Sequence, residues 1–235
     1  RDLLGPSPVE AGRGAQALRP KAVRSFAFDG LAIEELSWQL PYGPPSGAYF
    51  LKPQGAVEPL PGVLALHDHG HVKYFGKRKI TRTSEIQNPF LEDHQRQYYG
   101  GTAWANELAK RGYAVLVHDV FPFESRRILS ADLPAHMVRQ LTSAPESPLE
   151  LSLEALSSGE STAEWDVPPE EPVEAIRRYH AFAGRHEEAV ARSLFCLGYT
   201  FPGLVLAEDL AALGVLASRP EVDPDRLGCC GLSGG

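Results

Sequence analysis

The sequence predicts an α/β domain built on a largely parallel sheet. Three short apolar runs, GVLALH at 62–67, YAVLV at 113–117 and RLGCCG at 226–231, have the continuous hydrophobicity of strands buried on both faces. Helical patterns at 101–111, 171–197 and 203–218 lie between them. Strands alternating with helices favour parallel pairing. At 235 residues the chain suits one domain of this class.

Residues 1–22 are rich in Gly, Pro, Ala and Arg and read as an N-terminal arm ahead of a domain over 23–235. Runs at 23–28 and 31–39 flank Asp29-Gly30, a strong hairpin signal. Prolines within 41–45 and 53–61 bracket a third short strand at 48–51. After the 62–67 run, the polar, basic and aromatic stretch 72–98 reads as a long loop. In the helix at 101–111, Thr102 is the candidate N-cap and Gly112 the stop. The proline-punctuated stretch 121–170 reads as an irregular insertion of the kind that forms lids. Leu206, Leu210, Leu213 and Ala217 recur at helical spacing on one face of the last helix, and Asp223-Pro224-Asp225 reads as a turn.

With 43% hydrophobic and 23% charged residues, the composition excludes collagen-like and wholly disordered chains. No apolar run approaches membrane-spanning length. The charge balance of 23 − 30 = −7, without a Lys/Arg block, argues against nucleic-acid or anionic membrane partners. Cys196, Cys229 and Cys230 are odd in number and read as buried free thiols in a reducing compartment. The expected location is the cytoplasm, although a signal peptide already removed would leave no trace.

Gly231-Leu232-Ser233-Gly234-Gly235 matches G-x-S-x-G directly after an apolar strand. At such a strand-to-helix turn a strained serine projects its hydroxyl above the sheet, while the glycines remove clashing Cβ atoms. A glycine-rich cap or phosphate loop is the bland alternative, but the lysine of a phosphate loop is absent.

The stretch 216–235, with RPEVDPDRLG leading into GLSGG, resembles the approach to the nucleophile in α/β-hydrolases of the dienelactone hydrolase-like and acetyl xylan esterase-like branch. The similarity extends to 62–70, 112–119 and Asp209. It implies an α/β-hydrolase fold, a mostly parallel sheet flanked by helices, and a serine esterase or deacetylase without cofactor or metal. Ser233 is then the nucleophile. The His69 amide, with Gly70 close behind, and the Gly234 amide supply the oxyanion hole. The loop sequence H-D-H-G-H departs from the family's H-G-x and H-G-G-G.

Further residues stand near the implied site. His71, Tyr74, Phe123 and Glu124 are candidates for lining the pocket. Asp119 and the Glu124, Arg126 and Arg127 group read as salt-bridged loop anchors, and Asp209 as a structural hydrogen-bond partner. Lys73, Lys77, Arg78 and Lys79 read as a solvated basic patch.

Two other readings stay open. His67, His69 and His71 alternate as metal ligands on a strand end do, which fits a metal-dependent hydrolase. A binding module on the same fold without catalysis is the other.

In this fold the triad acid and histidine follow the serine, and all eight histidines here precede it. The expectation is therefore an N-terminal portion of the domain, truncated after the nucleophile strand. Its partners would be the remaining C-terminal portion, a small-molecule ester and, as a further candidate, a second copy of the chain.

Overall fold

A computed structural model describes residues 18–137 and 172–235. Its strands are β1 (Lys21–Phe28), β2 (Leu31–Trp38), β3 (Ser46–Pro53), β4 (Leu60–Leu66), β5 (Ala114–His118) and β6 (Val222–Gly231). Its helices are α1 (Pro89–Tyr99), α2 (Trp104–Lys110), α3 (Val173–Cys196) and α4 (Phe201–Ala217). The strands form one sheet in the order β1-β2-β3-β5-β4-β6.

The three apolar runs pair in parallel as β5-β4-β6. The N-terminal strands extend this group by antiparallel pairing, so the described sheet is mixed, and β6 lies at its edge with most residues exposed rather than buried on both faces as expected. Asp29 and Gly30 turn the first hairpin with φ of 51° and 78°, the positive pair a tight two-residue turn requires.

Alternation along the strands divides the core between two faces. Leu36, Trp38, Ala48, Phe50, Leu64, Ala114 and Leu116 pack under Ala212, Val215 and Leu216 of α4. Leu31, Ile33, Tyr49, Leu51, Val115 and Val117 pack against Ala105 and Ala109 of α2. A third cluster joins Ile176, Tyr179, Phe182 and Ala183 of α3 to Val72, Tyr74, Phe75 and Leu91.

Several expectations need correction. The stretch 72–98 is not one loop, because α1 begins within it. Asn88 caps that helix by accepting the Phe90 amide at 2.9 Å, Pro89 occupies its first turn, and Gly100 ends it at φ 61°. Thr102 does not cap α2; Ala103 holds that position and makes no side-chain cap. Asp223-Pro224-Asp225 lies inside β6, where the register shifts opposite Pro61 and Gly62. A local turn persists there, with the Asp225 amide donating to Asp223 Oδ1 at 3.0 Å.

The three cysteines are free but exposed, because β6 shows mostly exposed residues and Cys196 ends α3. Leu206 and Leu210 face outward, while the other side of the almost wholly apolar α4 is buried. Of the predicted arm, residues 1–17 lie outside the described residues, as do 138–170 of the predicted insertion and its neighbour Glu171. Among the described residues, no single helix is long and apolar enough to cross a membrane.

His186 on α3 is buried with neither ring nitrogen hydrogen-bonded. Burial, reinforced by the Lys73 charge, lowers its pKa to about 4. Burial likewise lowers His180 to about 4 and His67 to about 3. An unfolded histidine takes up its proton near pH 6.5, but these folded ones resist it. Their contribution to stability is therefore complete above about pH 6.5 and is lost as the pH falls towards the folded values. His186→Phe should make unfolding free energy depend less steeply on pH between about 6.5 and 4, by urea titration at several pH values. An unchanged slope would contradict this account of His186.

Candidate active site

Residues 231–235 turn sharply at the end of β6. Ser233 sits at φ 59°, a left-handed conformation that serine rarely adopts. The Gly235 amide closes the turn on the Leu232 carbonyl at 3.1 Å. A Cβ on Gly231 would lie 2.6 Å from the Gly235 carbonyl carbon, so glycine is needed here for space. A Cβ on Gly235 would lie 2.7 Å from the Leu66 carbonyl oxygen and 3.0 Å from that of His67. The turn is thus pressed against the end of β4, its parallel neighbour.

The facing loop begins at His67. A Cβ on Gly234 would lie 3.0 Å from His69 Cβ and 3.3 Å from the His69 amide nitrogen. Among the described residues, neither the His69 nor the Gly234 amide donates a hydrogen bond, and the Gly70 amide donates none either. Lys79 orients the peptides of this loop from beneath. Its ammonium donates to the Asp68 carbonyl and, at 3.3 Å, to that of His69. In a trans peptide the N–H points opposite to the C=O, so the His69 and Gly70 amides point away from Lys79.

Asp68 anchors the loop from the other side. Its Oδ1 accepts from His94 Nε2 at 2.9 Å and from the Tyr99 hydroxyl at 2.5 Å, and Lys79 stands 3.4 Å from Oδ2. Burial alone would raise the Asp68 carboxyl, but these partners outweigh it and hold the group below the usual carboxylate range. Burial lowers Lys79 to about 8 despite the Asp68 charge. A Cβ on Gly70, at φ 49°, would strike Asp68 Oδ2 at 2.6 Å.

The three alternating histidines separate, because Gly70 and His71 both take positive φ and break the extended geometry. The His67 ring is buried against Phe123, with Nδ1 on the Asp68 carbonyl. His69 Nε2 is 2.9 Å from Glu187 of α3, and His71 is exposed. Among the described residues, no group of three His, Cys, Asp or Glu side chains is placed to hold a metal ion.

Of the other pocket candidates, Phe123 lies beside the His69 ring at 5.5 Å. Tyr74 is buried against Tyr179 of α3. Glu124 lines a different cleft of about 660 Å³, whose walls include Arg24, Tyr49 and Arg82 but not Ser233.

The basic residues expected in a solvated patch are mostly buried. Lys73, Lys77 and Lys79 are at most 5% exposed. Lys77 pairs with Asp119 at 2.8 Å and Glu124 at 2.7 Å, and Arg78 pairs with Glu124 at 2.8 Å. Burial would lower Lys77, but these two carboxylates outweigh it and raise its pKa. Arg126 pairs with Glu208 of α4 at 2.8 Å, and His118 meets Asp209 at 2.9 Å. The roles of Asp68, Lys79, His94 and Glu187 at this loop escaped sequence reasoning. Asp68, His94 and Glu187 act through partners at least 26 residues away, and Lys79 across a turn of about ten residues.

No protein-family model matches the chain. It is 22% identical over 188 residues to the Bacillus subtilis (strain 168) protein named "Putative hydrolase YtaP", a match covering 80% of this chain and 40% of that one. The crystal structure of a "putative acetyl xylan esterase" from Bacteroides fragilis NCTC 9343 superposes with a TM-score of 0.60 at 16% identity. That match covers 94% of this chain and 43% of the other. The chain therefore spans less than half the length of these relatives. Its sheet, its helices and this superposition agree: the chain has the α/β-hydrolase fold.

Proposed function

We propose that the complete protein is a serine hydrolase of carboxylic esters, with Ser233 as nucleophile. The observation that carries this reading is the strained Ser233 turn, set against a loop whose His69 amide, like that of Gly234, has no hydrogen-bond acceptor among the described residues. Ser233 Oγ attacks the acyl carbonyl while a general base takes its proton. The carbonyl oxygen becomes negative and accepts from the His69 and Gly234 amides, with Gly70 as the alternative donor. Collapse expels the alcohol and leaves an acyl group on Ser233, which water then removes.

The triad acid and base would come from the part of the domain that the relatives carry beyond the length matched here. That part is the proposed partner of this chain. Acetyl esters are the first substrates to test, and the cytoplasm is the proposed location.

In the complete protein, Ser233→Ala should lower kcat on p-nitrophenyl acetate by at least about 10³-fold. A fluorophosphonate should label Ser233 in the unmodified protein, read by peptide mass spectrometry. A Ser233→Ala variant with an unchanged rate would overturn the proposal, and a protein that the probe never labels would point to a binding module.

Gly235→Ala should lower the rate about 100-fold, since its Cβ would push the turn off the Leu66 carbonyl. A folded Gly235→Ala variant with the normal rate would show that the close approach is not needed.

A further inference from the structure

One carboxylate links α3 to the loop beside Ser233. Glu187 lies 118 residues beyond His69, yet its Oε1 is 2.9 Å from His69 Nε2. Its other oxygen pairs with the Lys73 ammonium. The second ring nitrogen of His69, Nδ1, accepts the His71 amide at 3.2 Å. A ring nitrogen that accepts carries no proton, so the neutral imidazole has its hydrogen on Nε2 and donates it to Glu187. Both nitrogens are thereby committed. Edge contacts with Phe123 at 5.5 Å and His71 at 5.0 Å complete the ring's surroundings.

This ring belongs to the residue whose backbone faces Gly234. The bond from the His71 amide to Nδ1 closes a small loop through Gly70 and His71, the two positions of positive φ. Fixing the ring therefore fixes the turn and the direction of the His69 amide. Lys79 holds the carbonyl side of the same peptides, and Glu187 holds the side chain.

We propose that Glu187 is a positioning residue: through His69 Nε2 it holds the 69–71 turn so that the His69 amide meets the oxygen that becomes negative at Ser233. The proposal rests on the serine-esterase reading. It makes the docking of α3 a condition of fast chemistry.

Lys73 is 1% exposed, so removing Glu187 alone would strand a buried ammonium and destabilise the fold. The test therefore uses Lys73→Met as the background in the complete protein. There, Glu187→Gln keeps an oxygen that accepts from Nε2, whereas Glu187→Leu does not. The Leu double variant should have a kcat about 10- to 100-fold below the Gln double variant, with KM within about twofold. Its affinity for a trifluoromethyl ketone, whose adduct carries the same oxyanion, should fall by the same factor.

A second measurement covers poor folding of that variant. In a Lys73→Met, His69→Ala background, replacing Glu187 should have little further effect on kcat, because Glu187 acts through the ring. Equal kcat and equal inhibitor affinity in the two double variants would overturn the proposal, as would a loss confined to KM. So would an undiminished Glu187 effect in the Lys73→Met, His69→Ala background. If Ser233→Ala keeps the rate, the esterase reading itself fails. If Ser233→Ala is inactive while the double variants match, only the role of Glu187 fails.

Discussion

The loops at the ends of β4 and β6 approach so closely that the turn carrying Ser233 has no room for a side chain on either flank. Gly231 would strike Gly235, and Gly235 would strike the carbonyls of Leu66 and His67. Parallel pairing of β4 with β6 creates this proximity, because it brings the carboxyl ends of both strands to the same edge. The positive φ of Ser233 is sustained by that crowding rather than by local preference. The same proximity sets the Gly234 backbone beside that of His69.

Buried charge fastens the loops above the sheet. Lys77, Asp119, Glu124 and Arg78 tie the loop after β4 to the loop after β5. Arg126 and Glu208 join that second loop to α4. Lys79, Asp68 and His94 hold the 67–71 segment on α1. Ions out of water are expensive unless paired with good geometry, so each pair constrains its loop to one arrangement. Glu187 and Lys73 extend this pattern to α3 and bring that helix to the His69 ring.

Much of the frame could be read along the chain. Asp29-Gly30 announced the hairpin because few other residues accept positive φ in succession. The runs at 62–67 and 113–117 announced interior strands because they are apolar on both faces, whereas the run at 226–231 announced a strand but not its exposed place at the edge of the described sheet. The helix from Pro89 was legible in principle through Asn88, Pro89 and Gly100, but its polar, aromatic body concealed the pattern. The outward face of α4 was not legible, because a helix apolar nearly all round has no periodicity from which to choose a side. Lysines at 73, 77 and 79 looked solvated because their carboxylate partners are distant in sequence or, like Asp68, look ordinary there.

By itself the sequence determined where a serine could stand in a strained turn: a strand-forming run followed by glycines at the positions where Cβ atoms would collide. That is local chemistry, set by φ and by the absence of side chains. The tertiary structure decided what faces the serine. The direction of the His69 amide follows from Lys79 beneath it, about ten residues on, and from Glu187 on α3, which is 118 residues from His69 along the chain. No local pattern encodes such a direction, because it arises only when a buried ammonium and a carboxylate reach the same loop.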